Sequence, residues 1–198
     1  MSLVISTDLV STSGTEEEDQ KIKLECYGIR IKVFHFEQAR RNTKDLWTTI
    51  IDMFFLGRNF RYTPNSTNST SIARHFLLRV TEEDPTTGVR TVKPAGTIRG
   101  HLVNPDGPVK RYKLSRLAVD KDYRKHRFGR VLVESLNEWV KAEAARLECA
   151  AEIECHAQLP VIPFYAKFGY EEEGEEFDED GAPHKNMILR IPLTTSNP

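Results

Sequence analysis

The clearest pattern in the chain is a helical one, downstream of residue 128. Mostly apolar residues recur there at the three- and four-residue spacing that places them on one side of a helix. The stripe consists of Val131, Leu132, Ser135, Leu136, Trp139 and Val140, and Glu134, Glu138 and Lys141 fall outside it. This pattern predicts an amphipathic helix that begins near Gly129 and covers a core with one face.

A second pattern, at 150–157, alternates residue by residue. Ile153, Cys155 and Ala157 fall on one side, and Glu152, Glu154 and His156 fall on the other. A period of two is that of a strand with one buried and one polar face. Further strand-like runs occupy 75–80, 91–103, 111–119 and 187–191. The turn-rich segment 84–88 between the first two of these predicts a hairpin.

The beginning of the chain is less regular. Residues 1–14 fit either an edge strand or a tail. Thr15 and Glu18 have the spacing of a capping box, and an acidic turn follows. These signals predict a helix from about 16 to 38, although Gly28 weakens it.

The remaining segments complete the order of elements. A second helix is predicted at 43–57, a polar loop at 61–71, and a short helix around 162–168 that ends at Gly169. Helices followed by antiparallel strands and then a strand–helix–strand–helix–strand series predict an α+β domain with a mixed sheet.

Composition narrows the class of protein. The 198 residues suit one compact domain, and a formal net charge of −1 gives no general attraction to nucleic acid or anionic membrane. The three cysteines fit neither a disulfide framework nor a zinc site, so no metal is predicted. The first residues lack the pattern of a secretory signal, and no apolar run suits a membrane helix. We therefore expect a cytoplasmic protein, or alternatively a nuclear one.

Candidate chemistry is concentrated at 114–136. An apolar strand stops at Val119, a basic turn follows, and the amphipathic helix begins near Gly129. Backbone N–H groups at a helix N-terminus favour a phosphate, and Arg124, Lys125 and the neighbouring arginines add positive charge. The alternative is a solvated basic turn that binds nothing.

This stretch resembles the acetyl-CoA signature of the GNAT acetyltransferases. That family's pattern is Gln or Arg, two residues, Gly, one residue, then Gly or Ala. Arg124 matches the first position and Gly129 the last, whereas Arg127 stands where the first glycine is usual. The departure bears on how closely a phosphate can pack against the turn.

Two further blocks are similar to the ElaA-like subgroup of the same family. One is 157–189, through Ala157–Gln158, Phe164–Tyr165, Phe168–Gly169, Glu175, Glu179 to Gly181, Pro183–His184 and Met187. The other is Arg30 with Val33–Phe34 and Glu37–Gln38. The resemblance fails at about 39–73, which is insertion-like, so the identity of the acceptor cannot be carried over.

The resemblance implies a single GNAT domain over 1–198, with its core at about 20–193. It implies a mixed, mostly antiparallel twisted sheet flanked by helices, in which the central parallel strands at 114–119 and 150–156 splay apart. It also implies acetyl-CoA as cosubstrate and an amine as acceptor. The residues assigned to the cosubstrate are Leu117, Ala118, Val119, Arg124, Lys125, Arg127, Phe128, Gly129 and Arg130.

Roles in the transfer step follow from the same resemblance. Direct attack by the amine needs no cysteine nucleophile, and the N–H groups near Leu117 to Val119 polarise the thioester. Tyr165 is the acid that the resemblance implies. The base is chosen from the residues instead: His156, on the polar face of the strand at 150–157, is the first choice, with Glu154 and Glu37 as alternatives.

Several alternatives stay open at this point. The chain could be a GNAT-shaped CoA-binding or interaction module with weak catalysis or none, since the strand before the turn lacks a carboxylate. The acidic run 171–180 is either a solvated face or an attraction for a cationic acceptor. A nucleic-acid contact at the basic turn is disfavoured by the overall charge. A homodimer is compatible with the fold, but nothing in the sequence marks an interface.

Overall fold

The computed structural model describes residues 3–37 and 73–193. The predicted helix at 43–57, the polar loop at 61–71 and nearly all of the insertion-like segment lie outside the described residues. Within the described part of the chain, no helix has both the length and the apolar composition needed to cross a bilayer.

Seven strands form one mixed sheet, in the order β1-β2-β3-β4-β5-β7-β6. Every neighbouring pair is antiparallel except β4 and β5, which run parallel. The strands are β1 Leu3–Ser11, β2 Ala73–Glu83, β3 Arg90–Asn104, β4 Val109–Val119, β5 Ala150–Gln158, β6 Glu171–Glu179 and β7 Ala182–Ile191. The predicted mixed, mostly antiparallel sheet is confirmed.

Three α-helices accompany the sheet: α1 Glu16–Arg30, α2 Phe128–Arg146 and the short α3 Ile162–Ala166. The capping box at the start of α1 is formed, because Glu18 N–H donates to Thr15 Oγ1 and Thr15 N–H donates to the Glu18 carboxylate. Beyond α1 the chain continues as a π-helical segment, Ile31–Glu37. The first predicted helix is therefore confirmed through Glu37, with a change of helix type that the pattern did not indicate.

The two longer helices pack on opposite faces of the sheet. On β2, Leu77 packs under α1 beside Cys26 and Ile29, whereas its neighbours Phe76 and Leu78 belong to the core under α2. That core includes Leu132, Leu136, Ile98, Leu114 and Ile153. We call these the α1 side and the α2 side of the sheet.

Helix α2 lies close to β3, and its buried stripe differs from the predicted one by a residue. A Cβ at Gly100 would come within 2.6 Å of the Trp139 ring, so glycine is needed for this approach. Val131 was predicted to be buried but is 38% exposed, whereas Val133 is fully buried. The reason is helical phase: Val133 lies in line with Leu136 and Val140, which face the sheet.

Two edge strands complete the sheet. Residues 3–11 form the edge strand β1. Of the two alternatives for the beginning of the chain, an edge strand or a tail, the structure therefore supports the edge strand. The acidic run forms the edge strand β6; most of its side chains are exposed, as expected of a solvated face, but the strand itself was not predicted. Acidic residues are rare in strands, and pairing with β7 overrides that preference. At the β6–β7 turn, Asp180 and Gly181 both have positive φ, as tight hairpin turns favour.

Candidate active site

Strands β4 and β5 are paired over only part of their length. Their parallel register runs from Val109 opposite Ala150 to Lys113 opposite Glu154, and then stops. Strand β4 continues to Val119 and β5 to Gln158. The predicted splayed pair is confirmed, with an opening between the two strands.

A β-bulge marks the point where the strands part. The β3–β4 register shifts between the Thr97–Ala118 pair and the Arg99–Ser115 pair, and Arg116 has a left-handed φ of 59°. A bulge bends the strand that carries the extra residue. Here the bend carries β4 away from β5.

The backbone of Val119 faces the opening. Asp120 N–H donates to the Ala95 carbonyl on β3 at 2.9 Å, so Asp120 is turned towards β3. Successive residues of a strand direct their N–H and C=O groups to opposite sides, so those of Val119 point towards β5. In agreement, the Val119 carbonyl accepts from Arg124 Nε at 3.1 Å. The Val119 N–H is therefore oriented to bind a group between the strands.

The loop from β4 to α2 contains two residues in left-handed backbone conformation. Asp120 caps a short 3₁₀ turn by accepting from Asp122 N–H at 3.1 Å. Lys125 then has φ 77°, and Arg127, at the N-cap of α2, has φ 59° and no side-chain cap. Arg127 thus adopts the conformation that favours the glycine usual in the family's signature.

The backbone N–H groups of residues 125–129 are available for binding. None of them donates to any of the described residues; the first bonds at this end of α2 run from Arg130 and Val131 to the Arg127 carbonyl. The first turn of α2 contains no acidic residue. Free donors at the positive end of a helix are suited to a phosphate.

The predicted cationic residues of this loop differ in their partners. The Arg124 guanidinium forms an ion pair with Glu37, and Arg130 Nε lies 2.7 Å from Glu134 Oε1. Lys125 and Arg127 are exposed, and neither has a side-chain partner within the described ranges. Lys125 and Arg127 are therefore the cations that are immediately available to an anion.

Phe128 and Gly129 occupy the first turn of α2. The Phe128 ring is buried beside the rings of Tyr123 and His126, so only its backbone N–H is directed to the loop. A Cβ at Gly129 would meet Phe164 at 3.5 Å and Val119 at 3.9 Å, which are ordinary contacts. The protein's own packing therefore accepts alanine at this position, and any stricter requirement for glycine would come from a ligand.

Tyr165 lies on α3 and is 7% exposed. Its ring contacts those of Phe164 and Tyr170 edge-on, and no described residue forms a hydrogen bond with its hydroxyl. Burial, and then the nearby Cys155 thiol, raise the pKa of Tyr165, so the hydroxyl stays protonated at neutral pH. The neighbouring Tyr170 differs, because its hydroxyl donates to Asn137 Oδ1 at 2.8 Å.

His156 lies between a carboxylate and an ammonium group. Its Nδ1 is 2.9 Å from Glu179 Oε2, and its Nε2 is 3.2 Å from Lys113 Nζ. Because an ammonium can only donate, Nε2 accepts and the ring proton lies on Nδ1, directed at Glu179. Partial burial raises the pKa of Glu179, but the hydrogen bond from His156 and nearby positive charge, including Lys113, outweigh it, so this pKa is lowered. The ring is held by Phe177 at a centroid distance of 4.9 Å.

A family model of the GNAT acetyltransferase domain matches residues 75–191, which is more than half of the chain and contains the splayed strands, the loop and α2. The chain belongs to the GNAT acetyltransferase family. The match does not assign a role to any residue of the site.

Individual relatives agree with the family. The uncharacterized protein YyaT of Bacillus subtilis (strain 168) is 33% identical over 99 residues, covering 50% of this chain and 60% of YyaT. The chain thus spans less than two thirds of that relative. Escherichia coli ElaA has a TM-score of 0.56 at 17% identity, covering 95% of this chain and 99% of ElaA. A GNAT acetyltransferase of Staphylococcus aureus Mu50 has a TM-score of 0.54 at 15% identity, covering 93% and 99%. At these identities the structures show a shared fold.

Two residues that contact His156 were not singled out by the sequence interpretation. Lys113 stands out only as a basic residue within an apolar strand, and Glu179 was hidden in the acidic run. Glu179 is 23 residues from His156 in sequence, and Lys113 is 43 residues from it. The other proposed bases are placed differently: Glu37 binds Arg124, and Glu154 lies on the same strand as His156.

Proposed function

We propose that this protein is an acetyl-CoA-dependent N-acetyltransferase that transfers the acetyl group to a primary amine by direct attack. One observation carries the proposal: the free N–H groups of residues 125–129 lie at the start of α2, directly after the strand that parts from β5. CoA contains a diphosphate joined to an extended arm that ends in a thiol. Binding it therefore requires free phosphate donors directly beside an opening that can take the arm. The residues present therefore fit acetyl-CoA.

The chain would hold this cosubstrate mainly through its backbone. The N–H groups of 125–129 bind the diphosphate, and the Lys125 and Arg127 side chains add charge above it. Arg124 and Arg130 join them if their contacts with Glu37 and Glu134 are exchanged for phosphate. The backbone around Leu117, Ala118 and Val119 lines the opening between the strands, where the Val119 N–H is placed to stabilise an oxyanion.

When bound, acetyl-CoA supplies an acetyl group activated as a thioester. The acceptor nitrogen attacks the carbonyl carbon, a C–N bond forms and the C–S bond breaks. His156 Nε2 takes the proton that the nitrogen loses, and Glu179 stabilises the resulting imidazolium through Nδ1. Tyr165 donates its hydroxyl proton to the departing sulfur.

Lys113 fits this assignment of the base. Its ammonium group lies 3.2 Å from His156 Nε2 and so occupies the position in which a substrate ammonium would present its proton. An acceptor amine that displaces Lys113 Nζ would meet a nitrogen already unprotonated and fixed in orientation by Glu179. These contacts support His156 as the proposed base, whereas the proposal of Tyr165 as the acid is supported by its unbonded, protonated hydroxyl among the described residues.

The second candidate is a GNAT-shaped module that binds CoA without turnover. The Arg124–Glu37 ion pair favours it, because Glu37 competes with phosphate for the one arginine that matches the family's signature. The missing carboxylate on β4 points the same way. Kinetic measurements separate the two candidates.

The experiment begins with calorimetric titration of acetyl-CoA and desulfo-CoA, followed by rates with a panel of amines. We expect micromolar binding that Arg124→Ala weakens. Tyr165→Phe should lower kcat by about a hundredfold at unchanged acetyl-CoA affinity, the range of a lost general acid. Tyr170→Phe is the matched control, since it removes a hydroxyl that has a structural partner.

The outcomes are distinct. Absence of acetyl-CoA binding would remove the proposed function. Binding without transfer to any amine would favour the inactive module. Transfer that Tyr165→Phe leaves unchanged would retain the enzyme and reject the assigned acid.

A further inference from the structure

Three arginines from different elements meet on the α1 side of the sheet, and we call them the arginine cluster. Arg30 is the last residue of α1, Arg99 lies on β3, and Arg116 stands at the β4 bulge. Their charges affect one another: burial first, and then Arg99 and Arg116, lower the pKa of Arg30 to about 10. Because holding like charges together at a partly buried site costs free energy, an anion bound beside Arg30 and Arg116 would be favoured.

Arg30 has a neutral partner. One Nη of Arg30 lies 3.0 Å from His75 Nδ1, and because a guanidinium only donates, the imidazole accepts. Burial, and then Arg30 and Arg99, lower the pKa of His75 to about 3, so this ring is uncharged. The Nε of Arg30 is buried and has no hydrogen-bond partner among the residues that the structure describes. A donor of a buried guanidinium is therefore left for a ligand.

Arg116 also lacks a protein partner. Across residues 3–37 and 73–193, no group accepts a hydrogen bond from its guanidinium, which projects from an exposed residue at φ 59°. Arg99, beside it, is oriented by donating from Nε to Ser115 Oγ at 3.1 Å. The bulge thus keeps an unpaired positive charge at the point where β4 leaves β5, in a conformation that costs a non-glycine residue free energy.

The arginine cluster shares its side of the sheet with His156. His75, Arg99 and Ser115 are direct neighbours across β2, β3 and β4. Lys113 lies two residues from Ser115 on the same side of β4, and its Nζ contacts His156 Nε2. Arg116 also directly precedes the segment Leu117–Val119. An anion bound by the cluster would therefore lie on the same side of the sheet as the proposed base, with Arg116 and Lys113 on the strand between them.

We propose that the acceptor is a small amine that also carries an acidic group, a carboxylate or a phosphate, and that Arg30 and Arg116 bind this group while its nitrogen faces His156. This inference rests on the proposed function and specifies its substrate class. Planar guanidinium groups suit both anions, because each offers paired donors to two oxygen atoms.

The acidic strand β6 does not support the opposite choice, a polycationic acceptor. Arg190 on β7 lies 3.2 Å from the Glu171 carboxylate and 2.6 Å from that of Glu173. Two of the β6 carboxylates are therefore already engaged by one arginine at the edge of the sheet. The charges beside the bulge, in contrast, are positive and uncompensated at Arg30 Nε and Arg116.

The test measures binding of matched compounds to the full chain. The affinity of the protein for amino acids is compared with its affinity for their amides, and its affinity for O-phosphoethanolamine with that for ethanolamine. Desulfo-CoA is present at saturation in each titration so that the phosphate-binding loop is filled. We expect at least one acid to bind about tenfold or more tightly than its neutral match, as charge-assisted hydrogen bonds allow. The two series distinguish carboxylate from phosphate.

Variants test which residues cause the preference for acidic over neutral compounds. Arg116→Asn should reduce the acid-to-neutral ratio about tenfold while desulfo-CoA affinity is unchanged, and asparagine tolerates the left-handed backbone, so folding is preserved. Arg30→Gln should have a similar effect, with its melting temperature measured alongside. Lys141→Gln, which removes an exposed charge on α2, is the control and should change nothing.

Three results would overturn the inference: no acid binds, neutral compounds bind as well as acids, or Arg116→Asn keeps the full preference. Failure of the wild type to bind desulfo-CoA would instead reject the proposed function. The same titrations without desulfo-CoA would then still show whether the arginine cluster binds an anion.

Discussion

The two sides of the sheet differ in what they bury. On the α2 side, Leu132, Leu136 and Ile153 are fully buried among apolar neighbours. Among the described residues, the apolar layer on the α1 side lies under α1 and the π-helical segment that follows it, and beyond it the strands present Lys113, His156 and the arginine cluster. Burying such groups costs free energy that apolar packing would not. The comparison teaches that the α2 side provides most of the cohesion, whereas the α1 side beyond α1 carries the polar groups proposed to receive the acceptor.

The largest effect that would test this comparison is loss of packing on the α2 side. Leu136→Ala should reduce the free energy of unfolding by about 2–5 kcal/mol, because it leaves a cavity where the side chain was fully buried. Glu154→Gln, on the polar side of β5, should change it by less than about 0.5 kcal/mol. Denaturant unfolding of both variants measures the difference, and equal losses would contradict the division between the two sides.

A smaller effect concerns pH and the α1 side. The pKa of His75 in the folded protein, about 3, lies below the ordinary value of 6.5, so falling pH protonates the unfolded chain first. The stability contributed by neutral His75 is complete above pH 6.5 and is lost as the pH falls from there towards 3. We expect a loss of up to about 1 kcal/mol per pH unit, measured by denaturant unfolding between pH 7 and 5.

The matched variants for this prediction are two histidine substitutions. His75→Asn should flatten the pH dependence, and His126→Asn, at an exposed position of the loop between β4 and α2, should leave it unchanged. A wild-type stability that is constant between pH 7 and 5 would show that His75 is protonated as easily in the folded protein as in the unfolded chain.

The smallest expected effect is at Arg127, where a side chain occupies a left-handed position. Arg127→Gly should raise the free energy of unfolding by about 0.5–1 kcal/mol, since glycine adopts φ 59° without strain and is accepted at an N-cap. Lys141→Gly, in the interior of α2, should instead lower it by about 1 kcal/mol. If both substitutions destabilise the protein equally, the backbone at Arg127 is not strained.

The parts of the fold that sequence reasoning predicted are those with strong local patterns. The stripe of α2 located that helix to within a residue of its start, and the alternation around Cys155 identified β5 and both of its faces. The errors have local causes as well. Val131 was misplaced because one apolar residue at the edge of a stripe fits two helical phases, and β6 was missed because its glutamates have low strand propensity.

For the candidate site, the sequence pointed to the loop but not to its partners. Arg124 was correctly placed beside the start of α2, yet nothing local indicated that Glu37 pairs with it from the end of the first helix. Tyr165 was selected by resemblance, and only the structure distinguishes its free hydroxyl from the bonded one of Tyr170.

The sequence by itself determined the amphipathic helix, the alternating strand and the basic turn between Val119 and Gly129, because each depends on residues within a few positions of one another. Tertiary structure alone decided the Lys113–His156–Glu179 contacts and the meeting of Arg30 with His75, which is 45 residues away in the chain. Such contacts depend on which strands become neighbours and on the register between them. No local preference encodes that choice, since it is made by burying both sides of the whole sheet at once.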